Sequence, residues 1–367
     1  MLSPTGICCS LVPLAELTPC LRWALPRYRI DRASWILSQV MQRVQAGHSN
    51  QIVAGTVWRC SDAGTREQRL AAAIAVEQAG GAATLLLLQT VAAEELRRFS
   101  DSGSVDATDE LASAAAADVI LDAADGRHLI RPLLEPVLQR LRSLHITFLQ
   151  AACDEPRQAT LLCAAGFEPL ADLSLMRLPA ADFARAAGVA AAEASSRPVA
   201  AAALQWVALE AIGPDWEHPF SSVAADTFID TPDCPRLSNF RTAEEIVAGY
   251  RTAPTFDRRL SKLLRIGDQW AGCLVLTRQT SAAAPGDDQP DAETAVALEL
   301  TYLGLRPEFR GKRLAGCLLA EAVRVAREIG AGQILLTVDQ QNRPARASYQ
   351  RFGWRDVAQE SVWGRRV

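Results

Sequence analysis

Between an apolar run that ends at Leu305 and a helical pattern that begins at Leu314, the chain reads Arg310-Gly311-Lys312-Arg313-Leu314-Ala315-Gly316. A basic turn ahead of a helix gathers backbone N–H groups that have no partner within the helix, and the helix dipole turns its positive end to the same place. Such a turn suits a phosphate or pyrophosphate. Downstream, Asn342-x-x-Ala345-x-x-x-Tyr349-x-x-x-Gly353-Trp354 sets an amide, a phenol and a glycine at helical intervals. Asn342 suits either the cap of that helix or a ligand contact. Tyr349 adds an acid, so the two blocks together imply an anion held at one end and a proton donor at the reacting end.

These residues need a strand to deliver the loop and two helices to carry the donors. Thr294–Leu305 alternates as a long strand, and Leu314, Leu318, Ala322, Val325 and Ile329 fall on one helical face. Gln333–Val338 reads as a short buried strand, and Pro344 suits the first turn of the last helix. Upstream, Ala201–Glu210 reads as a strand and Trp216–Asn239 as an irregular, partly helical region. Thr242-x-x-Glu245 has the spacing of a capping box opening a helix through Tyr250. Leu260–Ile266 and Trp270–Arg278 flank Gly267-Asp268 as a hairpin, and Thr280–Asp291 is a solvated loop.

On the two blocks and this element order the chain resembles the GNAT superfamily of N-acetyltransferases, strongly from about residue 200 to 367 and weakly before. The family's loop follows Arg/Gln-x-x-Gly-x-Gly/Ala. Arg310, Gly311 and Ala315 fit, while Arg313 stands at a usual glycine. Glycine there lets backbone approach a phosphate, so Arg313 either turns outward or adds a charge-assisted contact.

The resemblance implies an acyl-CoA, with acetyl-CoA as donor, cradled by Arg310, Gly311, Lys312, Arg313, Leu314, Ala315 and Gly316. Backbone groups of Leu303, Gly304 and Leu305 would hold the pantetheine arm, and Asn342 would touch it or a phosphate. It also implies Tyr349 as general acid to the departing thiolate and Glu299 as base for the ammonium, directly or through a water. The implied function is direct N-acetyl transfer to a small-molecule or peptidic primary amine. The alternative is a non-catalytic acyl-CoA binding or sensing protein, which Arg313 favours.

The first half repeats the order of elements. Gln51–Arg59, Leu70–Val76 and Ala83–Gln89 read as strands, Leu129–Leu141 as a helix, and His145–Ala151 as a strand before a helix ending at Ala165. Gly166-Phe167 echoes Gly353-Trp354, yet Glu155, Gln158 and Leu162 stand where Asn342, Ala345 and Tyr349 stand. Asp125–Ile130 is a poor phosphate loop. The expected fold class is therefore α/β (α+β), as two tandem GNAT-like domains, each a mixed, mostly antiparallel sheet flanked by helices. Residues 1–179 form the degenerate copy, 180–199 an Ala-rich linker and 200–367 the catalytic copy. The layout is similar to that of the mycothiol synthases.

Composition bounds the rest. The 367 residues suit two domains, and a formal charge of −4 with dispersed Lys and Arg argues against a nucleic-acid partner. Nine scattered cysteines without a C-x-x-C pair argue against a disulfide framework and a metal site. No apolar run approaches bilayer length, so no membrane is expected and the cytoplasm is the expected setting. Of the four histidines, His48, His128, His145 and His218, only the last falls near the acceptor region, with Trp216, Glu217, Asp230, Asp233 and Cys234. Cys234 has no adjacent histidine and is read as structural or substrate-lining.

Overall fold

The computed structural model describes residues 7–24, 30–45, 47, 49–60, 65–78, 81–90, 129–194, 203–253, 255–280 and 296–367. The chain divides into two compact units, residues 1–169 with 363–367, and residues 170–362.

In the first unit β1 (Ile7–Leu11), β2 (Ile52–Cys60), β3 (Arg66–Gln78) and β4 (Ala82–Thr90) form an antiparallel run. β5 (Phe148–Cys153) joins β4 in parallel. Helices α1 (Leu14–Ala24) and α2 (Ile30–Gln45) pack Leu17, Leu21, Ile36 and Val40 over Ala72, Ile74 and Val76 on one face. On the other, α3 (Ile130–Ser143) and α4 (Pro156–Ala164) cover Ala71, Ala73 and Ala75 with Ile130, Leu133, Val137 and Leu161. Alternate alanines on β3 thus face opposite helices, as the two-residue period of a strand requires. Trp363 and Val367 pack on the same core, and Val367 N–H donates to the Thr147 carbonyl at 3.1 Å. The candidate phosphate loop at 125–130 falls largely outside the described residues, as do His48, His128 and the loop from 281.

The second unit opens with β6 (Glu168–Pro179), whose first two residues still belong to the first, and α5 (Phe183–Ala194). It continues through β7 (Leu204–Ala208), α6 (Leu209–Ile212), α7 (Glu217–Asp226), α8 (Ala243–Thr252), β8 (Lys262–Ile266) and β9 (Gln269–Thr280). β10 (Val296–Leu305), α9 (Ala315–Glu328), β11 (Gln333–Asp339), α10 (Arg343–Phe352) and β12 (Arg355–Arg366) complete it. The strand order is β12-β6-β11-β10-β9-β8-β7, antiparallel at each described pairing except β10–β11.

The division falls at Pro169/Leu170 rather than at 179, because β6 pairs with β11 from Leu173 to Pro179 and so belongs to the second sheet. Residues 183–194, expected as linker, form α5 instead. Its Phe183, Ala186 and Ala190 are buried against α9 and the strands. α9 accordingly buries Leu319, Val323 and Ala326 beside Leu318, Ala322 and Val325, a wider face than a single-sided helix shows.

Local chemistry accounts for the element ends. Thr242 accepts from Glu245 N–H and Glu245 accepts from Thr242 N–H, so the capping box holds α8. Gly267, at φ +58°, turns the β8–β9 hairpin in a conformation that costs glycine little. The strand expected over 201–210 is shorter, since Leu209 already starts a helical turn.

Candidate acyl-CoA site

The site begins where β10 leaves β11. Their parallel ladder runs from Ala297↔Gln333 to Leu300↔Leu336. Past it, β10 continues to Leu305 against β9 while β11 continues to Asp339 against β6. A register shift between Leu300 and Tyr302 turns β10 away at that point, as a bulge does. The β11-facing edge of Leu303, Gly304 and Leu305 is therefore outside the described ladders, and, apart from the Leu305 carbonyl that Arg310 holds at 3.0 Å, it is open to an extended, amide-bearing ligand.

β10 ends in the loop expected to hold phosphate. Leu305, Arg310, Gly311, Arg313, Leu314, Ala315 and Gly316 line a cleft of about 540 Å³ with Glu193, Ser348 and Arg351, a size ordinary for a ligand site. α9 starts there with Leu314 at its cap, which has no side-chain oxygen to offer the first turn. By contrast, Asn342 caps α10 by accepting from Ala345 N–H at 3.3 Å. The uncapped end of α9 is the one suited to an external anion.

The Arg310 guanidinium turns back into the protein, donating to the carbonyls of Leu305 at 3.0 Å, Ile229 at 2.7 Å and Thr227 at 2.9 Å. It clasps the loop to the segment after α7. Lys312 sets its ammonium 5.1 Å from the Phe309 ring centre. Arg313 is exposed and has φ +56°, and Gly311 has φ +73°. The family's usual glycine position is thus left-handed here and is filled by a residue with a Cβ. Asn342 is buried, and its amide also donates to Asp233 at 3.4 Å, so both ends of that side chain serve the protein.

Tyr349 lies on α10 with Trp354 at 6.1 Å between ring centres, on the edge of the unit's main core. Burial, and then the charge of Asp233, push its phenol well above the ordinary tyrosine range, which keeps it protonated. Glu299 sits on the fully laddered part of β10, between Thr277 and Leu335. Its carboxylate accepts from Gln279 Nε2 and from Thr277 Oγ1 at 3.4 Å, and Thr277 in turn bonds Thr301 at 3.1 Å. Glu299 therefore belongs to a polar row on the sheet and not to the cleft lining.

Other groups meet at the open end of the strands. Asp339 is 2% exposed and accepts from the backbone N–H of Cys234 at 3.0 Å and of Gln341 at 2.8 Å. Asp233 accepts from Asp339 N–H and Asn342. Burial raises the Asp233 carboxyl above its usual range, against the pull of those hydrogen bonds. The Cys234 thiol is pushed up to about 12 by burial and then by both carboxylates, which disfavours the thiolate. Tyr302 stacks on Phe228 at 5.0 Å and Tyr250 at 5.5 Å and bonds Thr227 at 2.7 Å. A Cβ at Gly304 would meet Thr227 Oγ1 at 2.5 Å, so that glycine admits the end of α7.

Of the residues expected near the acceptor, Trp216 is core, stacked on Phe256 at 5.6 Å. Glu217 pairs with Arg251 at 2.8 Å, and His218 is exposed. The tyrosine stack and Asp339 escaped sequence reading because their elements are far apart in the chain. Glu193 escaped it because an Ala-rich stretch gave no reason to place α5 against α9. Among the described residues no three His, Cys, Asp or Glu side chains are grouped to hold a metal ion, and no helix is long and apolar enough to cross a membrane.

Comparison with known proteins fits this geometry. The acetyltransferase (GNAT) family pattern matches residues 214–354. A mycothiol acetyltransferase of Corynebacterium aurimucosum is 33% identical over 67 residues, 18% of this chain, so the chain spans 22% of the length of that curated relative. Among solved structures, a tandem GNAT protein from the clavulanic acid biosynthesis pathway aligns over 98% of both chains, at 13% identity and TM-score 0.44. The GCN5-related glucosamine N-acetyltransferase region of a fungal multi-domain GH3 β-N-acetylglucosaminidase aligns over 99% of this chain and 38% of its own, at 11% identity and TM-score 0.53. Residues 214–354, within the second unit, match the acetyltransferase (GNAT) family pattern, and the strand splay and the uncapped helix both lie in that stretch.

Proposed function

We propose that the second unit transfers an acetyl group from acetyl-CoA to a primary amine by direct attack in a ternary complex. The observation that carries this reading is the opening of β10 from β11 at Leu300, immediately upstream of the uncapped N-terminus of α9. The diphosphate sits at the loop from Arg310 to Gly316, and the pantetheine amides pair with the part of the Leu303–Leu305 edge that Arg310 leaves open, which fixes the thioester at the strand opening.

The amine nitrogen attacks the thioester carbon, the C–S bond breaks, and the thiolate takes the Tyr349 proton. The substrate ammonium first gives one proton through water and the Thr277–Thr301 hydroxyl row to Glu299, and the second proton, shed from nitrogen as the amide forms, passes through water and restores the Tyr349 phenol. Arg310 acts as a brace that holds the loop's shape, and Asn342 as the cap that orients α10 and Tyr349.

Thiol release from acetyl-CoA across small amines, polyamines, aminoglycosides and peptide N-termini tests the reading. Turnover with at least one class is expected, lost when Gly311 is replaced by Val, since a β-branched residue resists φ +73°. Saturable CoA binding with no turnover on any amine refutes the enzyme and leaves a binding or sensing protein.

A further inference from the structure

The N-terminus of α9 already faces an anion that belongs to the chain. Glu193, in the last turn of α5, brings its carboxylate over Gly316 so closely that a Cβ there would collide with it. Only 17% of the Glu193 side chain is exposed, and Arg351 Nε of α10 holds it at 2.7 Å. Glu193, Gly316 and Arg351 all line the cleft formed with the loop from Arg310.

The placement is poor for α5 and good for α9. A carboxylate in a last turn faces the negative end of its own helix dipole, and α5 carries no basic residue there to offset it. α9 has neither an acidic residue nor a side-chain cap in its first turn, so the carboxylate supplies from outside the charge that this helix end lacks. The missing side chain at Gly316 is what admits it.

We propose that Glu193 is a built-in competitor for the diphosphate of CoA. In the free protein its carboxylate fills the anion seat; when CoA binds, the carboxylate swings out to water and Arg351 passes from Glu193 to a phosphate. The proposal rests on reading the Arg310–Gly316 loop as the diphosphate seat. It makes the measured affinity for CoA lower than the seat's own, because the ligand must displace a partner first. Carriers that end at pantetheine escape this competition, having no group that needs the seat.

The test is calorimetric titration of CoA, and separately of pantetheine, into the full chain, its Glu193→Gln variant and its Arg351→Gln variant, with melting curves on all three. Glu193→Gln is expected to bind CoA at least five-fold more tightly with pantetheine unchanged, and Arg351→Gln at least three-fold more weakly. CoA binding by Glu193→Gln alone, with none by the parent chain, supports the latch in its strongest form. Equal or weaker CoA affinity in Glu193→Gln overturns the latch and leaves the seat intact. Unchanged affinity in Arg351→Gln overturns the hand-over, a readout that stands even where the Glu193 variant misfolds. Failure of all three proteins to bind CoA refutes the seat itself, and the latch with it.

Discussion

Replacing Arg313 by Gly and, separately, by Ala isolates the cost of the left-handed turn at the head of α9. Arg313 holds φ +56°, a conformation that costs a residue with a Cβ roughly 1–2 kcal/mol and glycine almost nothing. Glycine in turn loses about 0.5–1 kcal/mol more backbone entropy than alanine on folding. At mid-range the net advantage of Gly over Ala is then about 0.75 kcal/mol. Both substitutions delete every contact of the arginine side chain equally, so their difference reports the backbone alone. At ~2–4 °C per kcal/mol for a unit of this size, the Arg313→Gly protein should melt ~1–4 °C above the Arg313→Ala protein. Thermal and urea melts followed by circular dichroism measure it, with equal urea m-values required for the comparison. An Ala variant as stable as the Gly variant, or more so, refutes the strain argument. The same pair, titrated with CoA, tests whether a glycine there also lets phosphate approach.

Tyr349→Phe should lower kcat by on the order of 100-fold or more while leaving CoA affinity within a factor of about two; unchanged turnover at every pH removes the phenol as acid. Because burial raises the Tyr349 phenol above its ordinary value, the acid form persists on the alkaline side, so wild-type kcat should show no loss from this group up to about pH 10. Glu299→Gln should lower turnover chiefly at low pH, where more of the amine is protonated, and a profile parallel to wild type excludes it as base. Glu321, 5% exposed, bonds Lys262 at 2.5 Å and Arg324 at 2.9 Å. Burial pushes its carboxyl up, but the bonds and charges of Arg324 and Lys262 outweigh that and hold it below the usual range. Its stabilisation is therefore present above about pH 4 and lost as pH falls through the lowered value. Glu321→Gln should cost about 3 kcal/mol at pH 7 by leaving Lys262 buried without its partner. The gap in melting temperature should close in acid, and a gap independent of pH would show that the pair is not the source.

The second unit was legible because its elements announce themselves locally. The capping box at Thr242, the Gly267-Asp268 turn, the alternation before Leu305 and the apolar face from Leu314 all depend on neighbours within a few residues, and each has its counterpart in the structure. The loop sequence likewise marked the uncapped helix end. What stayed hidden depends on tertiary contact. Arg310 looks like a phosphate ligand in sequence, yet the carbonyls that capture its guanidinium come from Thr227 and Ile229, some 80 residues earlier. Asn342 reads in sequence as either a helix cap or a ligand contact, and only the structure shows the cap together with its bond to Asp233. Residues 183–194 read as linker because alanine-rich sequence says little about burial until a partner surface is known.

The return of Trp363–Val367 to the first unit makes the second unit, in chain order, an insertion ahead of the first unit's last segment. During synthesis the N-terminal core waits for the whole of the second unit to emerge before Trp363 and Val367 can close over it. Cutting the chain at Pro169/Leu170 therefore separates the first unit from residues that complete its core.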